Sequence, residues 1–184
     1  DASFIKLKEL SIGYSFRYVV GHYAQPQTET LRSMTSLADV KKYKASHFDY
    51  CTFSGLFRKR NEKELIMHSG LMCLDFDHVE NMDEVKQQIL NHEYFDTELL
   101  FTSPSGNGLK WIIPVDLKGW EYSRFFMAVA NCIRATGLPK VDMSGSDVAR
   151  ACFLPYDPQA YINPKYNEYV KENIFRPRLG ECPF

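Results

Sequence analysis

Asp75 and Asp77 close the apolar run LMCLDFD. Side chains on a strand repeat every two residues. Both carboxylates therefore face the same way, with Cα atoms about 6.5 Å apart, while Met72, Leu74 and Phe76 point into a core. Two ionised carboxylates side by side repel each other and are costly to desolvate, and a bound cation relieves both problems. Hard oxygen ligands favour Mg²⁺ or Mn²⁺ over zinc. The same pattern also fits a strand that merely ends at the surface.

A second candidate is TSPSGNGLKW. Small residues and two glycines allow positive φ and expose backbone N–H groups to an anion, and Lys110 leaves the turn on the polar face. An ordinary glycine hairpin has the same composition. The spacing of a Walker A loop is missing. In the third candidate, LPKVDMSGSDVARACF, Asp142 can add a carboxylate to a metal cluster and Arg150 can grip a phosphate with two parallel donors. Asp147 stands i,i+3 from Arg150, which predicts a local ion pair and leaves Asp142 as the preferred ligand.

Lys41, Lys42, Lys44, Arg58, Lys59, Arg60 and Lys63 crowd one stretch of a chain whose net charge is −1. That balance argues against a broad duplex-binding footprint. The cluster reads as a solvated face unless it borders a reaction site. The 5 cysteines are odd in number, scattered and never in a C-x-x-C pair, so neither a disulfide framework nor a zinc ribbon is expected. Cys73 reads as a core thiol. The histidines lack H-x-H spacing, and His78 alone adjoins the acidic pair.

These groups need elements to position them. The opening to about residue 40 reads as short strand-like pieces (14–20) followed by a polar stretch. Thr35 to Tyr43 reads as a short helix capped by Ser36 or Thr35. Residues 65–77 form the clearest strand, bent at Gly70. A helix follows Asn81, with Glu84 completing a capping box and Val85 and Ile89 facing inward. Residues 99–103 and 109–115 pair across PSGNG, with Leu109, Trp111, Ile113 and Val115 on one face and Lys110 and Ile112 on the other. A helix over 121–135 buries Phe126, Val129 and Ile133 and stops at Gly137. Residues 151–154 make a last short strand, and the Tyr/Pro/Asn-rich segment after it wraps the domain. The fold class is α+β, a sheet covered by helices on one side. At 184 residues, 45% hydrophobic and 24% charged, the chain needs no disulfide or structural metal to fold. It has no apolar run of membrane-spanning length and no signal peptide, which points to a cytoplasmic protein.

With a strand ending in D-x-D, then S-x-S-G-x-G-Φ-K before a strand, then Asp142 and Arg150 before a short strand, and the stretch RACFLPYDPQAYINP that Arg150 opens, this chain resembles the archaeo-eukaryotic primase (primase-polymerase) superfamily. It looks most like the VirE N-terminal-domain group, over about residues 41–164. The resemblance implies a primase-polymerase-like core with an antiparallel or mixed sheet flanked by helices over 1–164, and a C-terminal segment, 165–184, that wraps or leads to a further domain. It implies that Asp75, Asp77 and Asp142 are catalytic metal ligands for Mg²⁺ or Mn²⁺. Ser105, Gly106, Gly108, Lys110 and Arg150 would then contact the nucleotide. Lys42, Arg58 and Arg60, with Phe53 and Phe57 between them, would contact nucleic acid.

The implied function is nucleotidyl transfer in replication of DNA or mobile elements. Nucleoside triphosphates, a single-stranded DNA template or primer and a fused or separate helicase would be its partners, with no membrane. One departure stands out: Lys110 replaces the family's histidine. A lysine binds triphosphate as a point charge but lacks imidazole's directed, near-neutral chemistry. The alternative is therefore a primase-fold nucleic-acid-binding module without catalysis. A metal-dependent nuclease using the same acids is a third reading.

Overall fold

A computed structural model describes residues 2–167 and 170, with side chains from residue 7. The element order is α1 (Ala2–Val20), α2 (Gln25–Ser33), α3 (Leu37–His47), β1 (Tyr50–Cys51), β2 (Gly55–Phe57), β3 (Leu65–His68), β4 (Leu71–Phe76), α4 (Met82–Leu90), β5 (Leu99–Thr102), β6 (Leu109–Pro114), α5 (Tyr122–Ala135), β7 (Cys152–Phe153) and β8 (Tyr161–Ile162). The chain is α+β, built on an antiparallel four-stranded sheet in the order β4-β6-β5-β8, with ribbons β1-β7 and β2-β3 beside it.

Strict alternation along β4 and β6 sorts the sheet into two faces. On one, Leu74, Phe76, Trp111 and Ile113 pack under Val85 and Ile89 of α4 and Phe126, Val129 and Ile133 of α5. On the other, Leu71, Leu99, Phe101 and Ile112 pack under Ile12 and Val19 of α1. Truncating a fully buried ring such as Phe126 in a core of this kind costs about 3–5 kcal/mol. The second face carries Cys73, Asp75 and Lys110 beyond the reach of α1, so its apolar half is covered and its polar half is open.

Several expected elements are present. Ser36 caps α3 by accepting from the Asp39 amide. Asn81 precedes α4, although its amide donates to Glu84 Oε2 at 3.4 Å and its side chain makes no bond to the backbone at the cap. The hairpin β5-β6 pairs Phe101 with Lys110 and Thr102 with Leu109. Gly70, at φ 72°, is more than a bend: it separates β3, in its own ribbon, from β4 in the main sheet.

Three expectations fail. Residues 14–20 are the end of helix α1, because Ile12, Ser15 and Val19 recur at helical spacing and are buried; their β-branched and aromatic neighbours imitate a strand. Helices cover both faces of the sheet rather than one, since α1 occupies the second. The segment after β7 does more than wrap: β8 closes the sheet edge against β5, with Leu99 opposite Ile162. Expected features beyond residue 170 lie outside the described residues.

One buried carboxylate ties α1 and the segment after β8 to this edge. Glu98, wholly buried, accepts from Lys165 Nζ at 2.6 Å and lies 3.4 Å from Lys8 Nζ. The Asn163 amide donates to its carbonyl at 2.9 Å. Tyr166 packs nearby in the α1-side core. Among the described residues no helix is long and apolar enough to cross a membrane.

Candidate metal and nucleotide site

The open half of the second sheet face is the floor of a cavity of about 550 Å³. Asp75 near the end of β4 lies opposite Lys110 at the start of β6. Asp77 follows where β4 leaves the sheet. Asp142 arrives from the loop after α5, and its amide donates to the Asp75 carbonyl at 2.8 Å. Gly145 allows that loop to pass between β4 and α5; a Cβ there would lie 2.7 Å from the Phe126 ring. One carboxylate oxygen from each of Asp75, Asp77 and Asp142 then falls within 4.8 Å of the others.

The electrostatics within the triad are uneven. Lys110 Nζ donates to Asp75 Oδ2, while Asp75 Oδ1 is buried with no hydrogen-bond partner. Burial pushes the Asp75 carboxyl above the usual carboxylate range, and Lys110 only partly offsets it. Burial alone would lower Lys110, but Cys152, Asp75 and Cys73 around it outweigh that and hold its ammonium charged. Asp142 goes the other way. Burial would raise it, yet the Ser144 hydroxyl and amide, then Arg150 and Lys110, bring it below its ordinary value. The Cys152 thiol beside Cys73, together with burial, keeps the Cys73 thiol protonated far above neutrality, as a core thiol should be.

An unsatisfied buried carboxylate oxygen on Asp75, beside two further carboxylates, fits a hard divalent cation. The triad can bind a divalent metal. Asp142 Oδ1 is shared with the Ser144 amide at 3.0 Å, which orients the carboxylate.

The glycine loop forms the cavity's upper lip. Ser103 N donates to Gly108 O at 2.8 Å and Gly106 N to Ser103 O at 2.9 Å. Gly106 sits at φ 82°, and a Cβ on Gly108 would lie 2.4 Å from the Phe76 carbonyl, so only glycine fits there. Ser105 faces the cavity and donates to Asn107 Oδ1 at 2.9 Å. Asn107 in turn meets the His78 ring at 3.2 Å, and its carbonyl accepts from the Val79 amide at 2.9 Å. The loop is thereby pinned to the segment just after Asp77.

A residue the sequence did not flag holds the loop from behind. Arg32 of α2 donates through Nε to Pro104 O at 3.2 Å and through Nη2 to Ser103 O at 3.5 Å. Nothing in a polar helix some seventy residues upstream advertises this role.

Ser105, Lys110 and Arg150 line the same cavity as the acids, and Gly106 and Gly108 shape its lip. Arg150 approaches Asp142 at 4.0 Å instead of pairing with Asp147, whose carboxylate accepts from the Ala149 amide at 2.9 Å. The basic cluster divides. Arg60 reaches the cavity rim with its guanidinium 5.7 Å from the Tyr50 ring centroid. Lys42 is exposed on α3 away from the cavity, which Lys41 and Lys44 line instead; the i,i+3 spacing of that pair is the signal that could have found them. Burial and then the nearby Lys110 lower Lys44. Arg58 is largely exposed and lies 3.7 Å from Glu64. Phe53 is 1% exposed within the α1-side core and has no face to offer a base; Phe57 is half-buried in β2. Tyr50 is the exposed aromatic at the rim.

A solved structure, the polymerase domain of ligase D from Mycobacterium tuberculosis in complex with DNA, is similar to this chain at 16% identity, covering 56% of this chain and 51% of that one. This chain thus spans about half of that structure, and the TM-score of 0.29 is too low to carry an argument. No curated protein matches the chain. The model of a protein family described as BT4734-like, N-terminal domain, matches residues 42–162, a span that runs from α3 through β8 and includes the triad, the glycine loop and Arg150. The chain belongs to the BT4734-like N-terminal domain family.

Proposed function

We propose that this cavity is the site of a primase-polymerase-like nucleotidyltransferase acting on nucleic acid with Mg²⁺ or Mn²⁺. The observation that carries the reading is the gathering of three carboxylates within 4.8 Å, one with a buried unpaired oxygen, under a lip of serines and glycines and a wall of Lys41, Lys44 and Arg150. Asp75, Asp77 and Asp142 would hold the metal, which when bound supplies Lewis-acid activation of an attacking hydroxyl and charge neutralisation at the leaving pyrophosphate. Lys110, Arg150 and Ser105 would take the triphosphate, offsetting the charge that builds as the hydroxyl oxygen bonds to the α-phosphorus and the bond to pyrophosphate breaks. Arg60 would meet a template or primer phosphate at the rim. On this reading the partners are nucleoside triphosphates, single-stranded DNA and a helicase, in cytoplasmic replication of DNA or mobile elements.

One specific contact favours a second reading, a nucleic-acid-binding module without catalysis. Lys110 already donates to a triad oxygen, as a built-in cation would. Calorimetric titration of Mn²⁺ with and without a nucleoside triphosphate, on wild type and Asp75→Asn, decides between them. Metal-dependent nucleotide binding that disappears in Asp75→Asn is the expected result. No binding in either protein would leave the second reading standing.

A further inference from the structure

Exposed aromatic rings lie in two groups, one at the cavity rim and one at the end of α1. Tyr50 and Phe153 face each other across β1-β7 with centroids 6.3 Å apart, and both line the cavity. From Tyr50 the chain steps back one residue to Asp49, whose carboxylate accepts from the Tyr18 hydroxyl at 2.7 Å. From Phe153 it runs on to Tyr156 and then to Asp157, whose amide donates to the Val19 carbonyl at the end of α1 at 2.9 Å. Two chain segments thus lead from the cavity wall to one place, the C-terminal end of α1. There Tyr18 stacks on Tyr23 at 5.5 Å and meets the Tyr14 ring, tilted by 36°, at 6.1 Å. Tyr14 and Tyr23 are 60% and 64% exposed. Gly21 lets the Tyr23 ring lie over the helix end, since a Cβ there would sit 2.9 Å from it.

We propose that this surface is a stacking track for a single strand of nucleic acid leaving the cavity, an inference that rests on the nucleic-acid reading above. The exposed groups are flat rings with polar tips, which suit bases better than an aliphatic protein surface would. Asp49 fixes the middle ring, and Tyr14 and Tyr23 rest against it with their outer sides exposed to a base. At the cavity end Arg60 sits over Tyr50, with Lys41 and Lys44 close by to meet phosphates. Phe53, the aromatic expected to stack, is buried, and the tyrosines supply the faces it cannot.

The test is fluorescence anisotropy of a labelled oligothymidylate in EDTA, which removes any dependence on metal. Changing Tyr14→Ala and Tyr23→Ala together should weaken binding about tenfold or more and leave the salt slope unchanged. Changing the same residues to Phe should restore it, because stacking needs the ring and not the hydroxyl. Unchanged affinity in the Ala variant overturns the track, as does an equal loss in the Phe variant at unaltered melting temperature. So does a change in self-association with no change in oligonucleotide binding. Wild-type protein that binds Mn²⁺ and nucleotide but no oligonucleotide overturns the track and leaves the cavity reading intact. Ring-dependent oligonucleotide binding without metal binding supports the track and refutes the transferase.

Discussion

Lys110 donates to Asp75 from the directly opposing position of the neighbouring strand, so the register of β4 on β6 brings together a cation and the most buried acid of the triad. Lys110 would therefore compete with a divalent metal for Asp75 Oδ2. The charged hydrogen bond it makes is worth about 1.5–3 kcal/mol. Lys110→Met should tighten Mn²⁺ about tenfold in calorimetry while weakening nucleoside triphosphate binding by a comparable factor. Looser binding of both would mean that the lysine organises the triad instead of competing for it.

Metal binding should also fade early on acidification. The folded pKa of Asp75 lies above its ordinary value of 3.8, so the folded chain holds that proton more tightly than the unfolded chain does. Its effect on apoprotein stability is therefore present below 3.8 and lost as pH rises through the folded pKa. Mn²⁺ needs the deprotonated form. The rise in melting temperature it causes should grow with pH through that raised window, and should already shrink at pH values where surface carboxylates are fully ionised. Thermal shifts measured across a pH series, with Asp75→Asn as the flat control, check this.

Arg32 should matter to nucleotide and not to metal. Arg32→Ala frees the Ser103 and Pro104 carbonyls and lets the lip relax. Nucleotide affinity should fall about tenfold by the loss of two charge-assisted bonds, at unchanged Mn²⁺ affinity. Arg32→Lys should recover only part, having no fork to span two carbonyls.

Gly108→Ala places a methyl against the backbone of Phe76, which cannot move without opening β4 from β6. We expect a stability loss of about 3 kcal/mol or more by denaturant titration. Gly106→Ala meets only the flexible Arg32 side chain and the strain of positive φ, at a cost of about 1 kcal/mol. Equal costs at the two positions would contradict this reading of the hairpin.

A chain cut after Pro164 loses Lys165 and Tyr166, leaving the buried Glu98 with Lys8 alone. The stability should drop by about 3–5 kcal/mol, the usual result of stripping a partner from a buried charge. A truncated domain as stable as the full chain would place the end of the folded unit at 164.

Much of the site was legible because its residues obey short-range rules. Period two aimed Asp75 and Asp77 together, and turn chemistry bracketed the loop between Ser103 and Gly108. What was not legible depends on long-range closure. Arg150 could have paired with Asp147 by helical spacing, but residues 147–149 form a bend and turn in which the Asp147 carboxylate accepts from the Ala149 amide, and Arg150 reaches Asp142 instead. Which lysines of the basic cluster border the cavity, Lys41 and Lys44, depends on the face α3 turns to it, which is decided by packing and not by composition. The strand-like look of Tyr14 to Val20 misled for a related reason: aromatic and β-branched residues favour strands locally, and burial of Ile12, Ser15 and Val19 at helical spacing overrides that preference. Arg32 carried no local signal at all.

The amide of Asp142 is held by the carbonyl of Asp75, so the first and third acids are spaced by the main chain and not by their side chains. The separation of these two backbones is thus set before anything enters, and a ligand arriving there does not have to draw the two strands of chain together. It also means that the donor atom at 142 can be exchanged while the frame stays put. Replacing this aspartate by histidine would shift the preference from hard toward borderline ions, making the domain a scaffold on which metal selectivity can be rewritten one side chain at a time.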